Sequence, residues 1–175
     1  MMAGKIKNLR GQDLHGRSFS DESLRDADFA ETDLTDADFT RADLTGAIFT
    51  GATLAHANFT DADLTRADFT DANLTRAHLT RVVLTDAVLV RAILTDATST
   101  YAELIRTDLT GATLTDVKFT HSTLTDANFA HCILTNTDFS NASVTDAYFD
   151  DYDELAKNTT LVGVNLEHVR FGSAK

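Results

Sequence analysis

The sequence predicts an all-β solenoid with four-sided coils, and two regularities carry that expectation. From Leu9 to Phe149 the chain keeps one unbroken five-residue frame. The typical pentad has a large apolar residue at its centre, a small residue (usually alanine) two places before it, a short polar residue just before it and most often threonine after it. Asp33 to Thr75 shows the frame almost without variation. On an α-helix five residues turn roughly 500°, so the centres would spiral around it. On a flat strand, odd spacing would send successive centres to opposite faces. A chain that bends once per pentad can turn every centre and every preceding alanine toward one axis, and repeats that bury nothing alone must stack. The second regularity sets the number of sides. Phe and Leu alternate along Phe29, Leu34, Phe39, Leu44, Phe49 and Leu54. Three pentads per coil would place Phe over Leu. Four stack Phe19 under Phe39 and Phe59, and Phe29 under Phe49 and Phe69, and the same two columns regain Phe at 119 and 139 and at 129 and 149. Two pentads per coil would also keep like over like, but leave little room for two rows of inward side chains.

The phrase alanine, Asp or Asn, leucine, as in Ala62-Asp63-Leu64 and Ala72-Asn73-Leu74, resembles the pentapeptide-repeat family. The resemblance covers Leu9 to Phe149 and implies a right-handed quadrilateral β-helix with one pentad per side. A fold does not carry a function. What the resemblance implies first is a non-enzymatic structural or protein-interaction solenoid of undefined partner. The alternative is a decoy that imitates DNA and shields a type II topoisomerase.

A single domain spans 1–175. Met1 to Lys7 is a short basic lead. Gln12, Arg17 and Glu22 occupy slots where alanine should point inward, and are expected to bend over the open N-terminal end as a cap. Ala27 to Thr80 carries the cleanest repeats. Alanine suits the slot two before the centre because the larger centre already fills a narrow interior. At strand spacing the coils rise ~4.8 Å each, so the seven before the insertion make a rod about 34 Å long. The slot two after the centre should be a corner, where positive φ favours Gly46, Gly51 and Gly111. The same slot stacks charges of alternating sign, as in Asp21, Arg41, Asp61 and Arg81, or Arg66, Asp86, Arg106 and Asp126. Ser99 replaces a central Leu or Phe and should lie inward between Leu79 and Phe119, with Val82 inward nearby. From Glu103 to Phe149 the frame loosens, with Thr107, Val117, Ser122, Cys132 and Thr137 in the alanine slot. An insertion at 150–160 reads as a helical turn, with Asp151 as N-cap and Glu154 three residues on. Leu161, Leu166 and Phe171 then return at spacing five, predicting a final partial coil and cap at 161–175.

The 15 basic and 27 acidic residues leave a net charge of −12, which argues against nucleic acid or an anionic membrane as partner. One cysteine excludes an internal disulfide and gives no zinc pattern. No run reaches transmembrane length, and Met1 to Gly11 lacks the apolar core of a signal peptide, so a soluble, cytoplasmic protein is expected. Carboxylate pairs such as Asp26/Asp28 and Asp61/Asp63 follow from the abundance of Asp. Catalytic pairs need unlike environments, which a convex rod does not supply. Neither catalytic residues, cofactor nor metal is therefore expected. His131 and Cys132 fall at a corner and an inward slot and should diverge, leaving a small buried thiol.

One coil departs in composition without losing register. Val83, Val88, Val90 and Ile93 occupy outward slots, and Tyr101 and Ile105 begin the next coil. These six are the candidate interaction patch, for a protein partner or a second copy of the chain. Against the decoy reading, Arg41, Arg66, Arg76 and Arg81 interrupt the acidic columns, and the coils lack projecting loops.

Overall fold

A computed structural model describes residues 7–172. Most of the basic lead and the last three residues of the expected cap lie outside the described residues. Residue n bridges residue n + 20 in parallel at every pentad, from Asn8 with Asp28 to Asn128 with Tyr148. A turn follows every centre, so each twenty-residue coil has four segments, as the Phe and Leu columns predict. The sides centred on Leu9, Leu14, Phe19 and Leu24 are called first, second, third and fourth below.

One pentad shows why the phrase has its composition. Leu34 and Asp36 donate backbone N–H groups to Thr53 and Ala55 of the next coil at 2.8 and 2.9 Å. Asp38 donates to Arg17 of the coil before, and Ala37 closes the turn onto Leu34 O at 3.0 Å. That leaves the N–H of Thr35, which bonds Asp33 Oδ1 at 3.0 Å, joined by its own hydroxyl at 2.7 Å. Backbone donors must be paired, and Asp or Asn just before the centre supplies the one acceptor that the ladder does not. Asn58 with Thr60 and Asp63 with Thr65 repeat the arrangement. Only one residue per side makes a bridge, because the turns consume the rest. Among the described residues, regular strands are confined to the C-terminal end: β1 (Thr137–Asp138), β2 (Tyr148–Phe149), β3 (Thr159–Thr160) and β4 (Arg170–Phe171), with helix α1 (Tyr152–Asn158) between β2 and β3.

The corners hold a surprise for the glycine argument. Gly46, Gly51 and Gly111 do have positive φ, between 66° and 71°, but so does every corner residue from Gly11 to Asp146. A turn closed three residues on with positive φ at its second central residue is of type II, which demands that conformation whatever the side chain. Asp and Asn tolerate it; for Arg81, His121 and Tyr101 it is strained.

Inside, the large centres are buried along the coils, except Leu134, which is half-buried beneath the C-terminal end. Phe rings stack along each column, Phe39 on Phe59 at 4.9 Å and Phe49 on Phe69 at 4.7 Å between centroids. Rings from the first and third sides meet edge to face across the axis, as in Phe49 with Phe59 at 5.9 Å and 88°, a favoured aromatic arrangement. Alternating Phe and Leu on a four-sided coil puts Phe opposite Phe and Leu opposite Leu. Polar residues in the alanine slot each donate to the carbonyl of the centre 23 residues earlier: Thr32 to Leu9, Thr107 to Leu84, Thr137 to Leu114.

At the N-terminal end the Arg17 guanidinium lies 5.0 Å from the Phe19 ring centroid and Lys7 Nζ 5.5 Å from it, with Lys7 paired to Glu22 at 3.0 Å. The long side chains thus close over the first ring, although Gln12 and Arg17 stay exposed. At the other end Asp151 caps α1, accepting from Asp153 and Glu154 N–H at 2.7 and 3.0 Å. Glu154 does not return the bond; it accepts from Asn158 Nδ2 at 2.8 Å instead. The helix stands where the second-side pentad of the coil would be and buries Leu155. Its two extra residues move the register from 20 to 22, so Thr137 pairs with Thr159 and Phe149 with Phe171. Pairing resumes at Thr159, inside the expected insertion.

The acceptor carboxylates make acid stability measurable. The backbone N–H and then the hydroxyl of Thr35 hold Asp33 below its ordinary 3.8, against burial. At Asp43 burial is the largest influence and pushes upward, but Thr45 and Arg25 together outweigh it. A carboxyl with a depressed folded-state pKa contributes stability that is complete above the ordinary value and is lost as pH falls through the folded value. Thermal melts should therefore lose more below pH 3.8 in the parent than in an Asp33→Asn/Asp43→Asn variant. Equal losses in the two proteins would contradict the assignment.

Candidate functional site

The coil 81–100 keeps the backbone of its neighbours and changes its surface. Val83, Val88 and Ile93 stand just before their centres, where other coils carry Asp or Asn, on the fourth, first and second sides. They offer no acceptor, and the N–H groups of Thr85, Val90 and Thr95 have no protein partner among the described residues. Ile93 is 42% exposed, while Val83, Val88 and Val90 are half-buried by the side chains around them. The outward flanks of this coil are all apolar or hydroxyl-bearing, and its corner charges, Arg81, Asp86, Arg91 and Asp96, cancel. In a chain of net charge −12 this is a belt without net charge.

The structure divides the six patch residues. Val88 and Val90 flank Leu89 on the first side, and Ile93 lies around the Arg91 corner. Tyr101 and Ile105 do not join that group. Tyr101, 60% exposed, stands at the corner between the third and fourth sides, and Ile105 lies on the fourth side diagonal to Val83. Tyr101 stacks on His121, centroids 4.9 Å apart and planes 5° from parallel, in the corner column that elsewhere holds Asp21, Arg41, Asp61 and Arg81. Ile48 and Ile133 are exposed in the same slot as Ile93 but on other coils. They were legible from that slot and were not singled out, because each stands alone.

The corner charges form discrete pairs. Arg41 grips Asp21 through Nε at 2.7 Å and Nη2 at 2.6 Å, and Arg81 with Asp61, Arg91 with Asp71 and Arg106 with Asp86 do the same. In all four the arginine reaches back one coil, so the columns of alternating sign resolve into pairs separated by gaps. Hydrogen bonds from the arginine hold each of these carboxyls below the usual range. Asp61 is thereby spent on Arg81 and Asp63 on Thr65, two structural tasks for one neighbouring pair of carboxylates.

A cavity of about 170 Å³ lies against α1, lined by Phe129, Leu134 and Phe149 of the coils, by Leu155 and Glu154 of the helix, and by Asp150. Cys132 lines it. Burial first, then the charges of Asp150 and Asp108, push its thiol up to about 12 against backbone hydrogen bonds from Ala112 and Gly111, and Sγ donates to Leu109 O at 3.0 Å. A thiol so protonated is a poor nucleophile and ligand. His131 turns away to Asp150, Nδ1 to Oδ2 3.1 Å. Among the described residues no cluster of His, Cys, Asp or Glu could hold a metal ion, and no helix is long and apolar enough to cross a membrane.

No curated protein matches the chain. Among solved structures, it is similar to HetL from the cyanobacterium Nostoc, a pentapeptide repeat protein involved in regulating heterocyst differentiation, at 27% identity over 93% of this chain and 78% of that one, TM-score 0.44. It is similar to a pentapeptide repeat protein of the Arabidopsis thaliana thylakoid lumen at 37% identity over 63% and 70%, TM-score 0.49. QnrB1, a plasmid-mediated fluoroquinolone resistance protein, matches at 16% identity over 96% and 88%, TM-score 0.52, a likeness of fold alone. The family model for pentapeptide repeats matches residues 23–61, 47–86, 62–98, 77–116 and 112–151. The chain belongs to the pentapeptide repeat family, a β-helix solenoid.

Proposed function

We propose that this protein is a non-enzymatic solenoid that works by docking a protein on its middle coil, with the coil wound right-handed as the family resemblance implies. One observation carries the reading: Val88, Val90 and Ile93 replace acceptor or hydroxyl residues around a single corner, on the coil whose charges cancel. Single exposed apolar residues such as Ile48 and Ile133 need no explanation, but three at one corner form a patch a partner can desolvate cheaply. Changing all three to Thr should leave the melting temperature within a few degrees of the parent, since none fills the core, while proteins retained by immobilised parent are lost. A variant that retains the same partners and sediments as the parent does would reduce the belt to a preference of β-branched residues for extended backbone. The decoy reading has no comparable support, because the arginines that a DNA mimic should lack sit paired along the corners.

A further inference from the structure

We propose that the first side of the solenoid docks a second copy of this chain, the two rods lying side by side and parallel about a twofold axis along their length. The inference rests on the reading of the belt as a docking surface and names its occupant.

A twofold axis parallel to the rods sets the corner that precedes this side in one copy against the corner that follows it in the other, at nearly the same height. The corners bordering the first side in successive coils are Arg66 and Asp71, then Asp86 and Arg91. Each set brings opposite charges together across the axis. Further along the rod Asp126 meets His131, and Gly46 meets Gly51. At both ends of the rod like charges come together, Asp26 with Glu31 and Asp146 with Asp151. Between the corners the residues flanking each centre exchange partners in the same way. Val88 meets Val90, and Asp68 meets Thr70. Thr70 gives its N–H to Asp68 of its own chain at 2.8 Å, but its hydroxyl has no partner among the described residues and can serve the other copy's carboxylate.

Arg66 supplies an independent observation. Arg41, Arg81, Arg91 and Arg106 each bind an aspartate one coil back. Arg66 has Gly46 in that position, and makes no ion pair among the described residues. Across the axis it would reach Asp71, already bonded to Arg91, which in turn faces Asp86 of the first copy. Antiparallel arrangements do worse. An axis centred on coil 81–100 sets Asp86 against Asp86 and Arg91 against Arg91. One shifted by half a coil matches those charges only by placing Val88 on Asp68. Elsewhere on the rod the net charge of −12 keeps copies apart.

The footprint sets the strength. Five coils of one side cover about 250 Å² of flat area per copy, against about 800 Å² per partner in a stable interface, so the pair is weak and reversible. Like other associations that rest on exposed charges, it should weaken with added salt.

Crosslinking decides the arrangement. In a Cys132→Ala background, which restores the alanine of the frame, Val88→Cys and Val90→Cys proteins are oxidised at high concentration, separately and mixed. The mixture should give a disulfide-linked dimer at several times the yield of either variant alone, and Arg66→Glu in both chains should cut that yield roughly tenfold. Equal yields in all three samples, or more crosslinking within the Val88→Cys sample than in the mixture, would overturn the parallel twofold. So would a yield that Arg66→Glu leaves untouched. If the parent instead sediments as a monomer at every concentration, yet retains other proteins through its valines, self-docking falls and the docking function stands.

Discussion

Truncating Phe59 to alanine should cost about 3–5 kcal/mol, the usual price of emptying a buried aromatic site. The ring is fully buried. It stacks on Phe39 at 4.9 Å and meets the edges of Phe49 and Phe69 at 5.9 Å each, so three aromatic contacts go at once. The walls cannot close on the gap, because one bridge per side with its flanking hydrogen bonds holds every coil at fixed spacing. For a chain of this length the melting temperature should fall by roughly 6–20 °C. A repeat protein couples each unit mainly to its neighbours, so the lesion should also make the two halves of the rod unfold less cooperatively. Thermal melts followed by circular dichroism and by calorimetry test both points. A loss below about 1 kcal/mol would mean that the interior relaxes as a liquid would, against the close packing described above.

The opposite result is expected at Ser99. It stands in the Phe column of the third side with no exposure, and its hydroxyl has no hydrogen-bond partner. Its carbonyl accepts from the Ser122 hydroxyl, so the polar neighbour within reach is already occupied. Phe119 above it stacks on Phe139 at 5.4 Å and 14°, looser than the 4.9 Å and 3° of Phe39 on Phe59. An unpaired buried hydroxyl costs about 1–3 kcal/mol, and a leucine in its place would bury further apolar surface. Ser99→Leu should stabilise the protein by about 1–3 kcal/mol, raising the melting temperature by roughly 2–12 °C. Ser99→Ala separates the two contributions, since it removes the hydroxyl without adding bulk. If alanine raises the melting temperature and leucine lowers it, Phe119 already fills the space and the larger residue overpacks. An alanine variant no more stable than the parent would reject the cost assigned to the hydroxyl.

Much of this architecture lies open in the sequence because one constraint recurs at every pentad. Period five excludes helix and flat strand, and the alternation of Phe and Leu admits four sides but not three. The inward position of Ser99 follows from the same frame, and the cap at Asp151 from the helix-start residues where the frame breaks. What the frame hides is geometry that depends on pairs. The preference for Asp or Asn before the centre looks like solubility until the Thr35 N–H is found with no backbone acceptor but the Asp33 side chain. The alternating corner charges suggest ladders, yet a side chain long enough to reach one neighbour leaves the next unserved. The glycines at 46, 51 and 111 suggest special corners, while the turn type imposes the same φ on Arg and Tyr. At the candidate site the sequence locates the apolar residues but not their partition. Tyr101 follows Ile93 closely along the chain and sits diagonally across the coil from it, because the direction of a side chain here depends on which quarter of the turn it occupies.

The bridge of each residue to the one twenty places on also bears on how such a chain can lengthen by inheritance. The visible word is five residues long, but the unit that can be copied with every side kept in place is a whole coil. Duplicating any twenty consecutive residues leaves every later side in phase, Phe above Phe, although in the alternating columns it sets one corner charge over its own copy. Duplicating a single pentad turns everything beyond it through a quarter circle and slides leucine beneath each aromatic column. The alternation from Phe29 to Phe69 is therefore a pattern that growth by whole coils preserves, and the two-residue shift at α1 marks where such growth would no longer continue in register.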